Sequence, residues 1–265
     1  FKYISKSQNI SYGEAIKLVG NEINAPQHVR ISEEERIKRQ DALKRQAEFE
    51  EKAKIEKSQQ KTQKLYEASQ PIEGTIAECY LREHRKIEST KLPDSLRFIS
   101  NFKDYDSDKT YPALAAFARN IEGKLTSAQV TCLDPHTANK ADIEVKKRSL
   151  GVIKSSAVEI QAGQGATYVA EGIETALSLK EAGVGGRIFV SLGLSNMANI
   201  GSHIKDKNEL VILCCDADDP TSAAWKSSER NLEKLQQEGF KVSIIRPQGD
   251  KGRDFNDVLK EEGAK

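Results

Sequence analysis

The sequence is poor in the residues that usually announce chemistry outright. Its 265 residues include one methionine, one tryptophan and four cysteines. Cys79, Cys132, Cys214 and Cys215 make no CxxC pair, which argues against a structural zinc site and against a disulfide framework. Cys214 and Cys215 are adjacent in an apolar run, where cysteine acts as a small hydrophobe, and the expected compartment is a reducing cytoplasm. No apolar stretch approaches the ~20 residues that span a bilayer, and the opening FKYISKSQNI lacks the apolar core and cleavage site of a signal peptide. Lys plus Arg total 41 and Asp plus Glu 40, so any nucleic-acid binding has to come from local patches rather than a bulk field. There is no GxxxxGK[ST], no HExxH and no Ser/His/Asp arrangement; GLSNMANIG lacks the GxGxxG spacing of a dinucleotide fold. His84 and His136 have no companions at metal-ligand spacing. The only methionine is Met197, and the first residue is Phe1; the chain is expected to be a fragment or a processed piece.

What is present falls into three textures. Residues 1–70 read as a charged helical segment. Ser11 with Glu14 is a capping-box pattern before a short amphipathic stretch carrying Ala15, Ile16, Val19 and Ile23. After Pro26, Ser32 opens a long run free of Gly and Pro, with sparse apolar positions (Ile37, Leu43, Phe49, Ile55, Leu65) and opposite charges at i, i+4 spacing. A solvated helix is expected there, serving as spacer or docking element. Residues 71–161 read as a small α+β unit: a helix over PIEGTIAECYLREHRKI, then strand-like LRFIS, YPALAAFAR and LTSAQVTCL. Its chemistry-bearing candidates are basic: Arg82, Arg85, Arg97, Lys140, Lys146, Lys147 and Arg148. Residues 162–265 alternate strand and helix: TYVAEG, IETALSLKEAG, RIFVSLG, a short helical LSNMANIGSHI, ELVILCCDAD, TSAAWKSSERNLEKLQQEG, FKVSIIRP and DFNDVLKEEG. That order predicts an α/β fold with a mostly parallel sheet covered on both faces.

In such sheets functional groups collect at the carboxyl ends of the strands. Glu171 stands at the end of the first strand, Asp216, Asp218 and Asp219 at the end of the third, and Asp254, Asn256 and Asp257 follow the fourth. A DxD alone usually marks a turn, DFND alone a helix start with Asp254 as its cap, and Glu171 alone a helix cap. Together on one rim they suit a hard divalent cation, which takes oxygen ligands. Within the third strand, Asp216 and Asp218 are expected to share a face and reach one ion, with Ala217 turned the other way. Asp219 is expected to face water or the helix start near Pro220.

YVAEGIETALSL, VILCCDADD and GRDFNDVL, in that order, resemble the Toprim domain of bacterial-type primases, topoisomerases and related nucleases. The likeness is greatest to primase-like Toprim proteins of phages, plasmids and conjugative elements. LRF, YPALAAFAR and VTCLDPHTANKA look like the region that precedes Toprim in those proteins, and the N-terminal helices resemble those of Toprim-bearing relatives of conjugative relaxases. The resemblance implies Glu171 as general acid/base for nucleotidyl transfer, Asp216 and Asp218 as Mg²⁺ (or Mn²⁺) ligands, and Asp254 and Asp257 as support for that ion or a second one. Glu174 ranks as a secondary acid that shares the role of Glu171 or caps the helix.

The expected activity is primer synthesis on single-stranded DNA from nucleoside triphosphates, with Arg97, Lys140, Lys146, Lys147 and Arg148 holding template or triphosphate. A helicase or relaxase portion of a longer protein is the expected partner. Two other readings stand beside it, a Toprim nuclease and a non-catalytic nucleic-acid or partner-binding module. A topoisomerase is disfavoured, because no Tyr here is marked out as a nucleophile.

Overall fold

The protein is described by a computed structural model covering residues 1–22 and 32–262, so the readings at Ile23 and Pro26 lie outside the described residues. Its packing divides the chain into two units, Phe1–Lys52 and Ala53–Lys265. In the first, helix α1 (Lys2–Ser7) is followed by α2 (Tyr12–Glu22) and the start of α3 (Glu33–Glu67). The capping box forms as the sequence implies: the Glu14 amide donates to Ser11 Oγ at 3.2 Å and the Ser11 amide to Glu14 Oε2 at 2.8 Å. Ser32 Oγ caps α3 by accepting from the Glu35 amide at 3.2 Å. Ile37, Leu43 and Phe49 are exposed along α3, as its charge pattern predicts.

The second unit contains two sheets. The helix expected after Pro71 is only one turn, α4 (Ile76–Cys79), running on into a π-helical turn over Tyr80–His84. An antiparallel sheet follows in the order β1 (Leu96–Lys103), β2 (Thr110–Arg119), β3 (Leu125–Cys132), β4 (Lys147–Gly151). Strand β2 shows why this sheet is stable. Leu114, Ala116 and Ala118 enter the core shared with the following sheet, while Ala113, Ala115 and Phe117 pack with Leu65 and Tyr66 of α3. Being buried on both faces, it reads as a continuous apolar run.

The following sheet has the order β5 (Val158–Gln161), β7 (Arg187–Val190), β6 (Ala166–Ala170), β8 (Leu210–Cys214), β9 (Lys241–Ile245). All neighbours are parallel except β5, which runs antiparallel to β7. The sequence boundary after Gln161 therefore cuts β5 away from the sheet it completes. A backbone bridge links the sheets, with Arg119 and Ala157 exchanging two hydrogen bonds of 2.9 Å. The connections are α5 (Ile173–Glu181), a 3₁₀ segment over Leu194–His203, and α6 (Ala223–Gln237); α7 (Phe255–Glu262) follows β9. Every residue from Ile173 to Leu179 of α5 is buried. A carboxylate at Glu174 inside that stretch needs explicit compensation.

Candidate active site

Glu171 follows β6, Asp216 and Asp218 follow β8, and Asp254 follows β9, so three adjacent parallel strands deliver acids to one rim. The period-two argument for Asp216 and Asp218 does not hold. Strand β8 ends at Cys214, the last rung of the ladder is the Cys215 amide to Ile245 O at 3.1 Å, and the acids lie in the loop beyond. Ala217 is fixed by backbone bonds instead: its amide donates to Arg253 O at 2.9 Å and its carbonyl accepts from the Gly252 amide at 2.7 Å. Gly252 has φ of +84°, a conformation that glycine adopts without strain. These two bonds clamp the CDADD loop to the loop that precedes DFND.

The electrostatics show which acids share a field. Asp216 is pushed up to about 6 by partial burial, then by the charges of Asp254, Glu171 and Asp218, with Lys147 opposing. Glu171 is solvent-exposed, yet the protein around its carboxyl and the Asp218 charge raise its pKa against the pull of Lys147 and the Leu194 amide. Glu171, Asp216, Asp218 and Asp254 thus form one mutually repelling group.

Asp219 and Asp257 turn to local work. Asp219 Oδ1 accepts from the Thr221 hydroxyl at 2.5 Å and its amide at 2.7 Å, which holds its pKa down. Asp254 and Asp257 form a reciprocal cap on α7: the Asp257 amide donates to Asp254 Oδ1 at 2.8 Å and the Asp254 amide to Asp257 Oδ2 at 3.3 Å. Asp257 also pairs with Lys260 at 2.7 Å, the main reason its pKa is lowered. The rim donors are all carboxylate oxygens, the chemistry a hard divalent cation requires. Among the described residues no three His, Cys, Asp or Glu side chains converge on one point as a ready metal cage. That donor set fits an ion held through one or two carboxylates and water, the way Mg²⁺ is usually bound.

Glu174 is buried behind the rim and does not share the place of Glu171. Lys140 Nζ lies 2.9 Å from its Oε1, Lys147 Nζ 3.2 Å from its Oε2, and the Tyr80 hydroxyl donates to Oε1 at 2.9 Å. Burial raises the pKa of Glu174, but Lys147 and Lys140 together outweigh it and hold the carboxyl well below the usual range. Arg85 Nε donates to the Tyr80 oxygen at 2.8 Å and closes the network.

The basic residues expected to hold template or triphosphate are mostly engaged within the fold. The run Lys146, Lys147 and Arg148 is expected from sequence to hold template or triphosphate, but β4 begins in it. Neighbouring strand residues point to opposite faces, so Lys147 reaches Glu174 while Arg148 reaches Asp104 at 2.9 Å and also pairs with Asp106. Arg97 donates to Ser69 Oγ and O at 2.6 and 2.9 Å and lies 4.7 Å over the Tyr66 ring. Lys146 sits 3.9 Å from Asp142 at a half-exposed position.

Sequence reasoning placed Asn256 among the rim groups but gave it no structural role, and assigned nothing to Tyr80. Fully buried Asn256 donates to Arg85 O at 2.7 Å and Ser178 Oγ at 3.0 Å, tying α7 to α5 and to the turn after Tyr80. The only signal for Asn256 was its place between the two acids of DFND; for Tyr80 there was none.

Comparison with known proteins matches residues 166–265 to the Toprim domain and residues 56–160 to a domain of unknown function, DUF7146. No curated protein matches the chain. Among solved structures, a DnaG primase catalytic domain bound to single-stranded DNA superposes with a TM-score of 0.52 at 16% identity, covering 79% of each chain. A DnaG catalytic core gives 0.48 at 16% identity over 78% of this chain and 74% of that one. A DNA primase domain from Pseudomonas aeruginosa gives 0.41 at 16% identity, and the match spans 61% of this chain and about half, 52%, of that one. The strand order, the family match over residues 166–265 and the superposition on the DnaG primase catalytic domain bound to single-stranded DNA lead to one assignment: the chain carries a Toprim domain over residues 166–265, in a fold shared with that catalytic domain.

Proposed function

We propose that this chain carries out metal-dependent nucleotidyl transfer on single-stranded DNA, the synthesis of short primers from nucleoside triphosphates. The observation that carries the reading is the placement of Glu171, Asp216, Asp218 and Asp254 after the adjacent parallel strands β6, β8 and β9, a crowding that, with partial burial, raises the Asp216 pKa. Mg²⁺ or Mn²⁺ bound there would neutralise the phosphates and the charge that develops during transfer. Asp216 and Asp218 would hold the ion, and Asp254 would support it from the α7 cap. Glu171, exposed and raised in pKa, would accept the proton of an attacking hydroxyl. Lys147 keeps Glu174 charged and draws the Glu171 pKa down, so it tunes the acid/base from behind.

The resemblance of the motifs to primase-like proteins of phages, plasmids and conjugative elements supports a role in replicating or transferring such DNA, beside a helicase or relaxase portion of a longer protein. A Toprim nuclease is the second reading. It is favoured by Arg97, Lys140, Lys147 and Arg148 being engaged inside the protein, which leaves fewer cations for a triphosphate.

The test is incubation with single-stranded DNA, labelled triphosphates and Mg²⁺ or Mn²⁺, comparing wild type with Asp216→Asn. Short labelled products from wild type alone support primer synthesis. Template degradation by wild type alone supports the nuclease. Inactivity of both with intact binding of single-stranded DNA leaves a binding module.

A further inference from the structure

At the opposite end of the parallel sheet from the acid rim lies a cavity of about 860 Å³. It opens beside Lys180 in the last turn of α5, where β7 begins at Arg187, and where Ser202 to Lys205 lead into β8. Its floor is apolar and partly aromatic: Leu92, Phe117, Ala157, Ile160 and Phe189 are all buried there. Tyr66 and His203 add two further rings, the latter 5.5 Å from Phe189.

Its margin is cationic. Lys91, Arg119, Lys180 and Lys205 line it, and none pairs with a carboxylate among the described residues. Lys180 Nζ is instead turned to Lys91 O at 2.9 Å, and Arg119 Nη1 donates to Gly123 O at 2.7 Å. A fifth cation, Arg187, is paired with Glu209 at 3.4 Å. The acids lining the cavity are Asp94 and Glu159. In a chain whose charges nearly cancel, this is a local excess of positive charge around an apolar floor.

Phe117 and Phe189 are closed off beneath the rings of Tyr66 and His203, but Tyr66 and His203 are half-buried, and aromatic rings beneath a cationic edge suit a ligand that is aromatic at one end and anionic at the other. An inorganic anion alone would leave the floor unused, and an apolar ligand alone would leave the lysines unmatched. The volume lies within the range of small-molecule sites and admits a single nucleotide.

We propose that this cavity is a second nucleotide site, taking the base of a nucleoside phosphate against the half-buried rings of Tyr66 and His203 and its phosphates at Lys91, Lys180 and Lys205. It shares no residue with the acid rim, and its occupancy requires no divalent cation. The nucleotide comes either free or as one unit of a single strand laid across the cavity mouth.

Equilibrium binding of labelled ATP in EDTA tests this on the intact chain. The expected result is one ATP bound per chain, unchanged in Asp216→Asn and about tenfold weaker in each of the exposed-site variants Lys91→Glu and Lys205→Glu, with their thermal melts unchanged. Adenosine and pyrophosphate should each compete poorly, since each satisfies half of the site. Competition by a short oligothymidylate, weakened by the same two substitutions, identifies a strand as the source; absence of competition identifies free nucleotide. The proposal is overturned by absence of binding in EDTA, by binding that disappears in Asp216→Asn, by indifference to both lysine substitutions, or by pyrophosphate competing as well as ATP. Each of those results leaves the reading of the acid rim intact.

Discussion

Lys147 reaches back from β4 to place its ammonium 3.2 Å from Glu174 Oε2, while its charge also acts on Glu171 and Asp216 at the rim. One cation therefore joins a buried structural carboxylate to the acids of the rim. Lys147→Met would leave Glu174 with Lys140 and Tyr80 alone. We expect a loss of about 2–3 kcal/mol in urea denaturation, below the full value of a buried pair because Lys147 is itself 36% exposed. The pH dependence follows from a lowered carboxyl: the Glu174 contribution is present above the unfolded carboxylate value and is lost as pH falls through the depressed folded value. The difference between wild type and Glu174→Gln should thus shrink below about pH 4.

Asp216 has the opposite sign. Its folded value of about 6 stands above the ordinary aspartate value of 3.8, so the folded state holds the proton more tightly and loses stability as pH rises from about 4 to 6. Asp216→Asn removes that repulsion. The variant should be more stable than wild type at neutral pH, by on the order of 1–3 kcal/mol, and indistinguishable from it near pH 3.5. Thermal melts of both proteins across that range in EDTA check this.

Asp218 and Asp219 are neighbours in sequence with different work. Asp219→Asn keeps an oxygen for the Thr221 turn and should retain most activity. Asp218→Asn should lower the rate at least about a hundredfold, as expected for a group that stabilises transferring charge. Single-turnover rates of the two variants under the conditions that give wild-type products decide the point.

Asn256 is fully buried and donates two hydrogen bonds that no other residue replaces. Asn256→Ala should destabilise the protein by about 2–3 kcal/mol, because Arg85 O and Ser178 Oγ lose their donor in the interior. Hydrogen exchange should show the loss concentrated in α7 and α5.

The sequence made the alternation of parallel strands and helices legible, because apolar runs and the glycines after helices marked each element. The acids of the rim were legible only as a set, since each motif alone reads as a turn or a helix cap, whereas their recurrence after successive strands does not. The ligand geometry was not. Asp216 and Asp218 looked like strand residues, yet β8 stops at Cys214, where its last partner on β9, Ile245, is reached. Strand β4 was hidden because a run of three cations resembles a solvated surface until Glu174, 27 residues from Lys147, is folded against it. Local signals such as the Ser11–Glu14 cap were readable; partners supplied by distant elements were not.

The central claim is that the acids at the ends of β6, β8 and β9 hold a divalent cation. It is tested most directly by titrating Mn²⁺ into wild type and Asp216→Asn and following the free ion by electron paramagnetic resonance. Saturable binding by wild type, displaced by Mg²⁺ and lost in Asp216→Asn, is the predicted result. Equal binding by both proteins, or none by either, would contradict it.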